Sequence, residues 1–256
     1  MQTDAGFHLD RARRYVAGMC RHPTARRCEL RALGAILDSL ALPELRLILD
    51  LGAGQGYLSE NLLTSYLAEG GSVCAVDAAE EMLCQIRPCA RVRTALCKLD
   101  ALPLESGSVD LAVSLAVFHH VTNKKQVLRE ASRVLRPGTP LVIADVADRT
   151  STQAFFDSVV KEHCDTGHDF DFLDPEWIQL LATAAGLRLV SCDIRDTPWE
   201  FPSGAHLCSF LSHIFSLSLP EDMLLERVNR CLPVYSNGAA ACLPWQLAFY
   251  VLEKPV

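Results

Sequence analysis

Apolar positions recur along the chain with two different periods. Up to about residue 44 they follow helical spacing, which predicts helices over Tyr15–Met19 and Ala25–Leu40. Between residues 45 and 147, short runs that are apolar throughout alternate with amphipathic segments. Such runs are typical of strands in a parallel sheet that helices cover on both faces. The pattern therefore predicts an α/β fold with a doubly wound, mostly parallel sheet.

The same periods give the expected bounds of the elements. Seven strands are predicted, over Leu45–Leu51, Ser72–Val76, Val92–Cys97, Val109–Val117, Pro140–Val146, Leu187–Ile194 and Trp245–Leu252. Helices are predicted over Tyr57–Ala68, Ala79–Ile86, Lys124–Leu135, Ser151–Cys164, Ala205–Leu217 and Glu221–Cys231. A further helix begins at Pro175 behind the N-cap Asp174 and stops at Gly186. The alternation of apolar residues in the last strand predicts a C-terminal antiparallel hairpin at the edge of the sheet.

The composition indicates an acidic, globular protein. Of the 256 residues, 50% are hydrophobic and 21% are charged, and a mean hydropathy of +0.16 indicates a large core rather than disorder. The 31 acidic residues outnumber the 24 basic ones. The resulting net charge of −7 provides no overall positive field for nucleic acid or an anionic membrane.

Further sequence features bear on the compartment. The longest apolar runs, such as Leu111–Phe118, are far shorter than the ~20 residues that span a bilayer. The stretch Met1–Asp10 is too polar for the apolar part of a secretion signal. The eleven cysteines include no CxxC pair, which favours reduced, mostly buried thiols over a disulfide or zinc framework. We therefore expect a cytoplasmic protein with no membrane partner.

A glycine-rich turn follows the first of these strands. Gly52, Gly54 and Gly56 stand between that buried strand and the head of the next predicted helix. Glycines at such a place let the backbone turn tightly and let a ligand approach without Cβ collisions. Asp77 ends the second strand, where a carboxylate can accept hydrogen bonds from both hydroxyls of a ribose. Together these residues predict a nucleoside site at the C-terminal edge of the sheet.

Two positions distinguish between nucleoside cofactors. A nicotinamide dinucleotide site has a third glycine in the spacing G-x-G-x-x-G, but position 57 is Tyr. Asp50, just before the turn, would repel a pyrophosphate. The same carboxylate would attract the ammonium group of a sulfonium amino acid, either directly or through water. The pattern therefore favours a sulfonium nucleoside over a dinucleotide.

Four motifs in register resemble the class I S-adenosylmethionine-dependent methyltransferases, especially the small-molecule type 11 methyltransferase domain subgroup. They are LDLGAGQG, Asp77 followed by Met82, Asp100 after the third strand, and SVDLAVSLAVFHHV followed by EASRVLRPGTPLVIAD. The resemblance covers residues 45–147, and the remainder matches in the order of its elements. It implies a Rossmann-like methyltransferase fold with helical lid insertions. We expect one domain over residues 1–256, with an N-terminal lid at 1–44, a cofactor-binding core at 45–147 and an insertion at 195–242 over the acceptor pocket.

The resemblance also implies the cofactor and the residues that bind it. S-adenosylmethionine would be the methyl donor and S-adenosylhomocysteine the product. The implied cofactor-binding residues are Tyr15, Asp50, Gly52, Ala53, Gly54, Gly56, Asp77, Ala78, Met82, Asp100, Ala101, Ser114 and Leu115. In the family the glycine turn wraps the methionine part, and the strand-ending aspartate holds the ribose.

The resemblance also implies contacts with the adenine, the ammonium group and the carboxylate of the cofactor. Met82 would cover one face of the adenine, although an ordinary core methionine fits the same position. Asp100 and the Ala101 amide would bind the adenine edge. The carbonyl groups near Ser114 and Leu115 would face the ammonium group of the cofactor. Tyr15, in the N-terminal lid, would meet the cofactor's carboxylate.

His119 and His120 follow the fourth strand, where donor and acceptor must meet. A histidine there can accept a proton from a hydroxyl or amine, or it can simply order the loop. Because consecutive side chains leaving a strand project to opposite sides, one ring is expected to face the methyl group and the other the loop. No Asn/Asp-Pro-Pro-aromatic motif for a flipped base stands here, which disfavours a nucleic-acid acceptor. The Phe-His-His end of this strand also lacks the acids of a divalent metal site, so no metal is expected.

The sequence as a whole favours methyl transfer to a small molecule by direct displacement, with a hydroxyl, amine or carboxylate as acceptor. Aromatic residues in the 195–242 insertion would roof the acceptor pocket. The same fold and cofactor also serve aminopropyl transfer and cyclisation of the cofactor, and these alternatives stay open. A third hypothesis is that the protein is a non-catalytic scaffold with this fold. The chain is expected to be a monomer or a homodimer.

Overall fold

The computed structural model describes residues 9–165, 167 and 170–256. Residues 1–8 of the predicted lid lie outside this range. The helices are α1 Leu9–Arg21, α2 Arg27–Ser39, α3 Tyr57–Asn61, α4 Glu80–Leu83, α5 Lys124–Val134, α6 Ser151–Phe155, α7 Lys161–His163, α8 Pro175–Ala184, α9 Gly204–Ile214 and α10 Glu221–Cys231. The strands are β1 Leu45–Leu51, β2 Leu67–Asp77, β3 Val92–Leu96, β4 Leu111–Leu115, β5 Pro140–Asp145, β6 Arg188–Asp196, β7 Trp199–Phe201, β8 Tyr235–Asn237, β9 Ala240–Leu243 and β10 Gln246–Glu253.

A seven-stranded sheet carries the core of the protein. Its strand order is β3-β2-β1-β4-β5-β10-β6. Strands β1 to β5 pair in parallel with their neighbours, and β10 pairs antiparallel with β5. All six residues of β5 are buried, as expected for a strand covered on both faces. The α/β, mostly parallel fold class predicted from the sequence is confirmed.

The chain contacts divide the molecule into two compact units. The sheet unit consists of residues 33–145, 171–194 and 248–256. The insertion unit consists of the described residues of 1–32, 146–170 and 195–247. The sheet unit contains β1 to β5, and the insertion unit contains a separate three-stranded sheet in the order β7-β9-β8.

Helix starts are set by side-chain caps that the sequence makes recognisable. The Asp174 carboxylate accepts a hydrogen bond from the backbone N–H of Trp177 at 2.8 Å, with Pro175 at the first helical position, as predicted. Asn123 accepts from the backbone N–H of Gln126 in the same way at the start of α5. These caps satisfy N–H groups that have no partner within the helix.

The predicted helix over residues 57–68 is shorter than its sequence pattern suggested. It ends at Asn61, a 3₁₀ turn follows over Leu63–Tyr66, and β2 begins at Leu67. The Tyr66 hydroxyl donates a hydrogen bond to Asp38 of α2 at 2.7 Å. This contact fixes Tyr66 against α2, and local helix propensity does not predict such tertiary contacts.

The C-terminal region differs from the prediction in two respects. The last strand, β10, lies one position inside the sheet, and β6 forms the edge. Burial of Ala248–Leu252 on both faces explains why its alternation was a weak guide. The sequence prediction also missed β7, β8 and β9. Gly238 and Ala239 form the two-residue turn between β8 and β9, and the glycine at its first position, with φ +61°, was the available signal.

Candidate functional site

The strand order reverses beside β1, and this creates an opening at one edge of the sheet. β1 pairs with β2 up to Leu51, but its pairing with β4 ends at Asp50. The backbone N–H groups of Gly52 and Ala53 both donate to the carbonyl of Val76. The chain therefore turns towards β2 and away from β4. Ligands of open α/β sheets bind in such crevices outside the carboxyl ends of the strands.

The glycine turn after β1 requires residues without a side chain. Gly52, Gly54 and Gly56 have φ values of +77°, +54° and +84°, in the left-handed region that favours glycine. A Cβ on Gly52 would lie 2.5 Å from a side-chain carbon of Val117, and one on Gly56 would lie 2.8 Å from Ile86. A Cβ on Gly54 would have only the end of one side chain nearby, Met82 at 3.4 Å. The turn is thus tight at its ends and more open in the middle.

Asp77 is held at the end of β2 by two backbone groups. Its carboxylate accepts from the N–H of Gly54 at 2.8 Å with one oxygen and from the N–H of Ala79 at 2.9 Å with the other. A carboxylate oxygen has two lone pairs, so each oxygen keeps capacity for a further donor. The side chain is half-buried and Ala78 beside it is exposed. Asp77 is therefore fixed in orientation next to the glycine turn.

The residues that the resemblance places around the adenine differ in their burial. Met82, on α4, is buried, with its terminal methyl group facing Gly54. Asp100 is half-buried in the loop after β3. Ala101 is exposed, and its N–H donates to the carbonyl of Lys98 at 3.1 Å. The amide that was expected to bind the adenine edge is thus engaged in a local turn.

The end of β4 contains a strained residue. Ser114 is buried and its hydroxyl donates to the carbonyl of Leu51 at 2.9 Å, which ties β4 to the end of β1. Leu115 is half-buried. Ala116 has φ +57°, a conformation that costs a non-glycine residue ~1–2 kcal/mol. Strain of this kind persists where the surroundings impose it, and it concentrates at functional sites.

Asp50 lies in the interior and not at the surface of the crevice. Its side chain is 1% exposed, and it accepts a hydrogen bond from the Ser59 hydroxyl of α3 at 2.6 Å. Burial raises the pKa of the Asp50 carboxyl to about 7, against the opposing effect of the Ser59 hydrogen bond. The structure does not place the carboxylate where an ammonium group can contact it directly. A water-mediated or longer-range role for Asp50 stays a prediction.

His119 forms a pair with Asp145 that the sequence analysis missed. The Nδ1 atom of His119 lies 2.6 Å from one carboxylate oxygen of Asp145, and the His119 backbone N–H donates to the other oxygen at 3.2 Å. Both side chains are buried, with His119 6% exposed. Because β4 and β5 are neighbours, their carboxyl ends meet at one edge, and this adjacency was the available signal.

The rings of His119 and His120 lie close together, whereas the sequence analysis predicts that they face opposite sides of the chain. Their ring centroids are 4.0 Å apart at 45°, with His119 buried and His120 exposed. The strand ends at Leu115, and Phe118–His120 form a 3₁₀ turn. The alternation of side chains holds only within a strand, so the expectation was wrong.

A buried lysine lies behind the histidine pair. The Lys124 side chain is 2% exposed, and its ammonium donates to the carbonyl of Val121 and to Asp171. It also lies 5.1 Å from the centre of the Trp177 ring. The Asp171 backbone N–H donates to the carbonyl of His119 at 2.9 Å, so this network supports the histidine loop.

Tyr15 belongs to the insertion unit. Its hydroxyl accepts a hydrogen bond from Arg26 at 2.8 Å, and Arg26 forms an ion pair with the buried Glu29. Glu29 in turn accepts from the Trp199 indole at 2.7 Å. Trp199 stacks on Trp245 with ring centroids 4.0 Å apart. The contact of Tyr15 with a cofactor, and the roof over an acceptor pocket, stay predictions.

The described part of the chain contains neither a cluster of metal ligands nor a membrane-spanning helix. No group of three or more His, Cys, Asp or Glu side chains among residues 9–165, 167 and 170–256 could hold a metal ion. Thr166, His168 and Asp169, part of a His/Asp-rich stretch in the sequence, lie outside the described residues. None of the helices described is long and apolar enough to cross a membrane.

Sequence comparison finds a match to a known family in the part of the chain that contains the glycine turn and the end of β4. Residues 49–143 match the family described as a methyltransferase domain. The chain is 36% identical over 148 residues to a malonyl-[acyl-carrier protein] O-methyltransferase of Dechloromonas aromatica (strain RCB), which covers 56% of this chain and 52% of that protein. The chain spans between 33% and 52% of the length of the first curated relatives it matches.

Solved structures share the fold at low identity. A SAM-dependent methyltransferase from Thermotoga maritima has a TM-score of 0.60 and 18% identity, covering 97% of this chain and 100% of that one. An N-methyltransferase of Haemonchus contortus, solved with phosphomonomethylethanolamine and S-adenosylhomocysteine, has a TM-score of 0.54 and 18% identity, covering 87% and 52%. These similarities confirm the Rossmann-like fold expected from the motifs.

Proposed function

We propose that this chain, a class I methyltransferase by its fold and by residues 49–143, transfers the methyl group of S-adenosylmethionine to a small molecule. The observation that carries the proposal is Asp77, held by the N–H groups of Gly54 and Ala79 beside the glycine turn. A carboxylate fixed in this way has its remaining lone pairs available for two neighbouring hydroxyl groups. A ribose provides that pair of hydroxyls.

The residues of the crevice fit the rest of the cofactor. Gly52, Ala53, Gly54 and Gly56 form a turn that allows close backbone approach, which suits the methionine part. The adenine would lie against Met82 and near Asp100. The carbonyls of Ser114 and Leu115, at the end of β4, would accept from the ammonium group. A side chain on Gly54 would project into the open middle of the turn, where the methionine part would lie.

His119 is the candidate proton acceptor. When bound, S-adenosylmethionine supplies an electrophilic methyl group on a positively charged sulfur. Asp145 accepts a hydrogen bond from Nδ1–H of His119 and so favours the tautomer whose Nε2 atom is the proton acceptor. In this proposal Nε2 takes the proton of an acceptor hydroxyl or amine, and Asp145 stabilises the imidazolium. The exposed His120 is the second candidate for the same role.

Alignment and exclusion of water would supply most of the rate enhancement, since the leaving group is already activated by its charge. A carboxylate acceptor would need no base at all. The net charge of −7 disfavours a nucleic-acid acceptor. The related sequence from Dechloromonas aromatica is named a malonyl-[acyl-carrier protein] O-methyltransferase, which supports an oxygen atom as the methyl acceptor. We also propose a cytoplasmic location, which rests on the cysteine spacing in the sequence.

Product identification tests the reaction. The protein is incubated with S-adenosylmethionine and pools of hydroxyl, amine and carboxylate acceptors, and the nucleoside product is identified by mass spectrometry. S-adenosylhomocysteine with a methylated acceptor supports methyl transfer. Methylthioadenosine would instead identify aminopropyl transfer or cyclisation of the cofactor. If no product forms, thermal unfolding separates an enzyme lacking its acceptor from a scaffold, because a cofactor at about 100 times its Kd stabilises the folded state by about 2.7 kcal/mol.

A further inference from the structure

Strand β6 is the exposed edge of the seven-stranded sheet. It spans nine residues, and within the described part of the chain no strand pairs with its outer side. Two apolar side chains on it are exposed, Val190 at 45% and Ile194 at 52%. The strand contains neither proline nor glycine. A long edge strand with exposed apolar residues is a template for pairing with another chain.

We propose that a second copy of this chain pairs with β6, antiparallel and about a two-fold axis through Cys192. The sequence of the strand, RLVSCDIRD, is complementary to itself in this register except at Leu189, which would stand opposite Arg195. Arg188 would stand opposite Asp196 of the second copy, Val190 opposite Ile194, and Cys192 opposite Cys192. A two-fold interface requires such self-complementarity, because each copy presents the same surface.

Charge and burial select this register over others. A parallel pairing in register would place Arg188 opposite Arg188 and Asp196 opposite Asp196, and like charges directly opposite one another are destabilising. An antiparallel pairing shifted by two residues would set Arg188 against the apolar Ile194. The proposed register instead buries the two exposed apolar side chains against each other and matches the charges at both ends.

Contacts within each chain hold the terminal charges of the strand in place. Arg188 donates to Glu253 of β10 at 3.1 Å, and Asp196 accepts from Gln246 of the same strand at 2.8 Å. Both Arg188 and Asp196 remain exposed. On the central part of the strand, Ser191 would stand opposite Asp193 of the second copy, where a hydroxyl can donate to a carboxylate.

The dimer would form one continuous sheet of two copies. Because the central strands run antiparallel, the carboxyl edges with the glycine turns would point in opposite directions. Each copy would then keep its own crevice, and the proposal does not depend on the reaction. Loss of the dimer should leave the binding of S-adenosylhomocysteine unchanged.

Light scattering on the purified chain, over a wide range of concentration, gives the first test. The expected mass of the wild-type protein is twice the 28.2 kDa of one chain. Val190→Lys should lower the measured mass to that of one chain. Met223→Lys is the matched control, since Met223 is also 45% exposed but lies on α10, and it should stay dimeric. A monomer at every concentration, or a dimer that survives Val190→Lys, would overturn the proposal.

Charge reversal tests the register. Arg188→Asp alone places like charges at both ends of the paired strands and should shift dimerisation to higher concentration. Adding Asp196→Arg restores opposite charges in the proposed register and should recover dimerisation. Equal weakening by the single and double variants would contradict the antiparallel register. Far-ultraviolet circular dichroism establishes that each variant is folded.

Cross-linking at Cys192 tests the position of the axis. Burial raises the pKa of the Cys192 thiol, so oxidation with copper phenanthroline is carried out at mildly alkaline pH. The expected product is a dimer whose linked peptide, identified by mass spectrometry, joins Cys192 to Cys192, with two thiols giving two protons and two electrons to the oxidant. Cys192→Ser should abolish this peptide. A dimer without it would place the interface elsewhere.

Discussion

Replacing Asp50 by Asn should change how the stability of the protein depends on pH. The Asp50 carboxyl is 1% exposed, and it accepts hydrogen bonds from the hydroxyl and from the backbone N–H of Ser59. An Asn side chain has nearly the same shape and keeps an oxygen with two lone pairs that can accept from Ser59. The substitution therefore removes the titration of the group and little else.

The magnitude follows from the raised pKa. Between the ordinary value of 3.8 and about 7, the folded state holds the Asp50 proton and the unfolded state releases it. The folded state then binds more protons, so the contribution of Asp50 to stability falls as pH rises through this window. The full pKa shift of about three units corresponds to a loss of roughly 4 kcal/mol in the free energy of unfolding, and this loss is complete above pH 7. Asp50→Asn should therefore gain stability over wild type from pH 4 to 7, with no further gain above.

Denaturant unfolding at a series of pH values measures this difference. Asp38→Asn is the control, because Asp38 also accepts a hydroxyl hydrogen bond but is exposed. Ser59→Ala removes the hydroxyl hydrogen bond, which is the larger of the two Ser59 contacts that lower the pKa of Asp50, and it should extend the fall in stability to higher pH. Parallel pH profiles for wild type and Asp50→Asn would refute the reasoning, since they would mean that Asp50 titrates alike in both states.

Two further predictions concern the turn and the histidine pair. Gly52→Ala should cost ~2–5 kcal/mol in denaturant unfolding, from the positive φ and the clash with Val117, whereas Gly107→Ala, at φ +64° with nothing within 4 Å, should cost only ~1–2 kcal/mol. Equal costs would mean that the turn is not packed against Val117. His119→Ala should lower turnover by ~10²–10⁴-fold at unchanged affinity for S-adenosylhomocysteine, and Asp145→Asn should lower turnover in the same way and alter the pH–rate profile. If both variants instead lose stability and binding together, the pair only shapes the loop.

The glycine turn and Asp77 could be predicted because their signals are local. Three glycines within five residues can only serve a tight turn or a close approach, and all three adopt positive φ. Asp77 ends a strand whose neighbours follow from strand order, so its place at the carboxyl edge follows as well. The geometry of the proposed cofactor-binding half of the site could therefore be predicted without the structure.

The histidine pair and Asp50 show where local reasoning stops. His119 and Asp145 stand 26 positions apart, and their pairing depends on how the 3₁₀ turn after β4 packs against the end of β5. The Asp50 side chain projects from the face of β1 opposite to that of Leu49 and Leu51. Whether water reaches that face depends on how α3 packs against it. In the structure Ser59 closes that face. Such contacts depend on packing between elements, which hydrophobic periodicity does not specify.

The central claim is that Asp77 and the glycine turn hold the nucleoside of the cofactor. Calorimetric titration of S-adenosylhomocysteine into wild type, Asp77→Ala and Glu69→Ala tests it directly, because Glu69 is an exposed acid at the opposite end of the same strand. The account predicts that Asp77→Ala weakens binding by ~1–3 kcal/mol, the contribution of hydrogen bonds to a charged group, and that Glu69→Ala binds like wild type. Wild-type affinity in Asp77→Ala, or no binding to the wild-type protein, would contradict it.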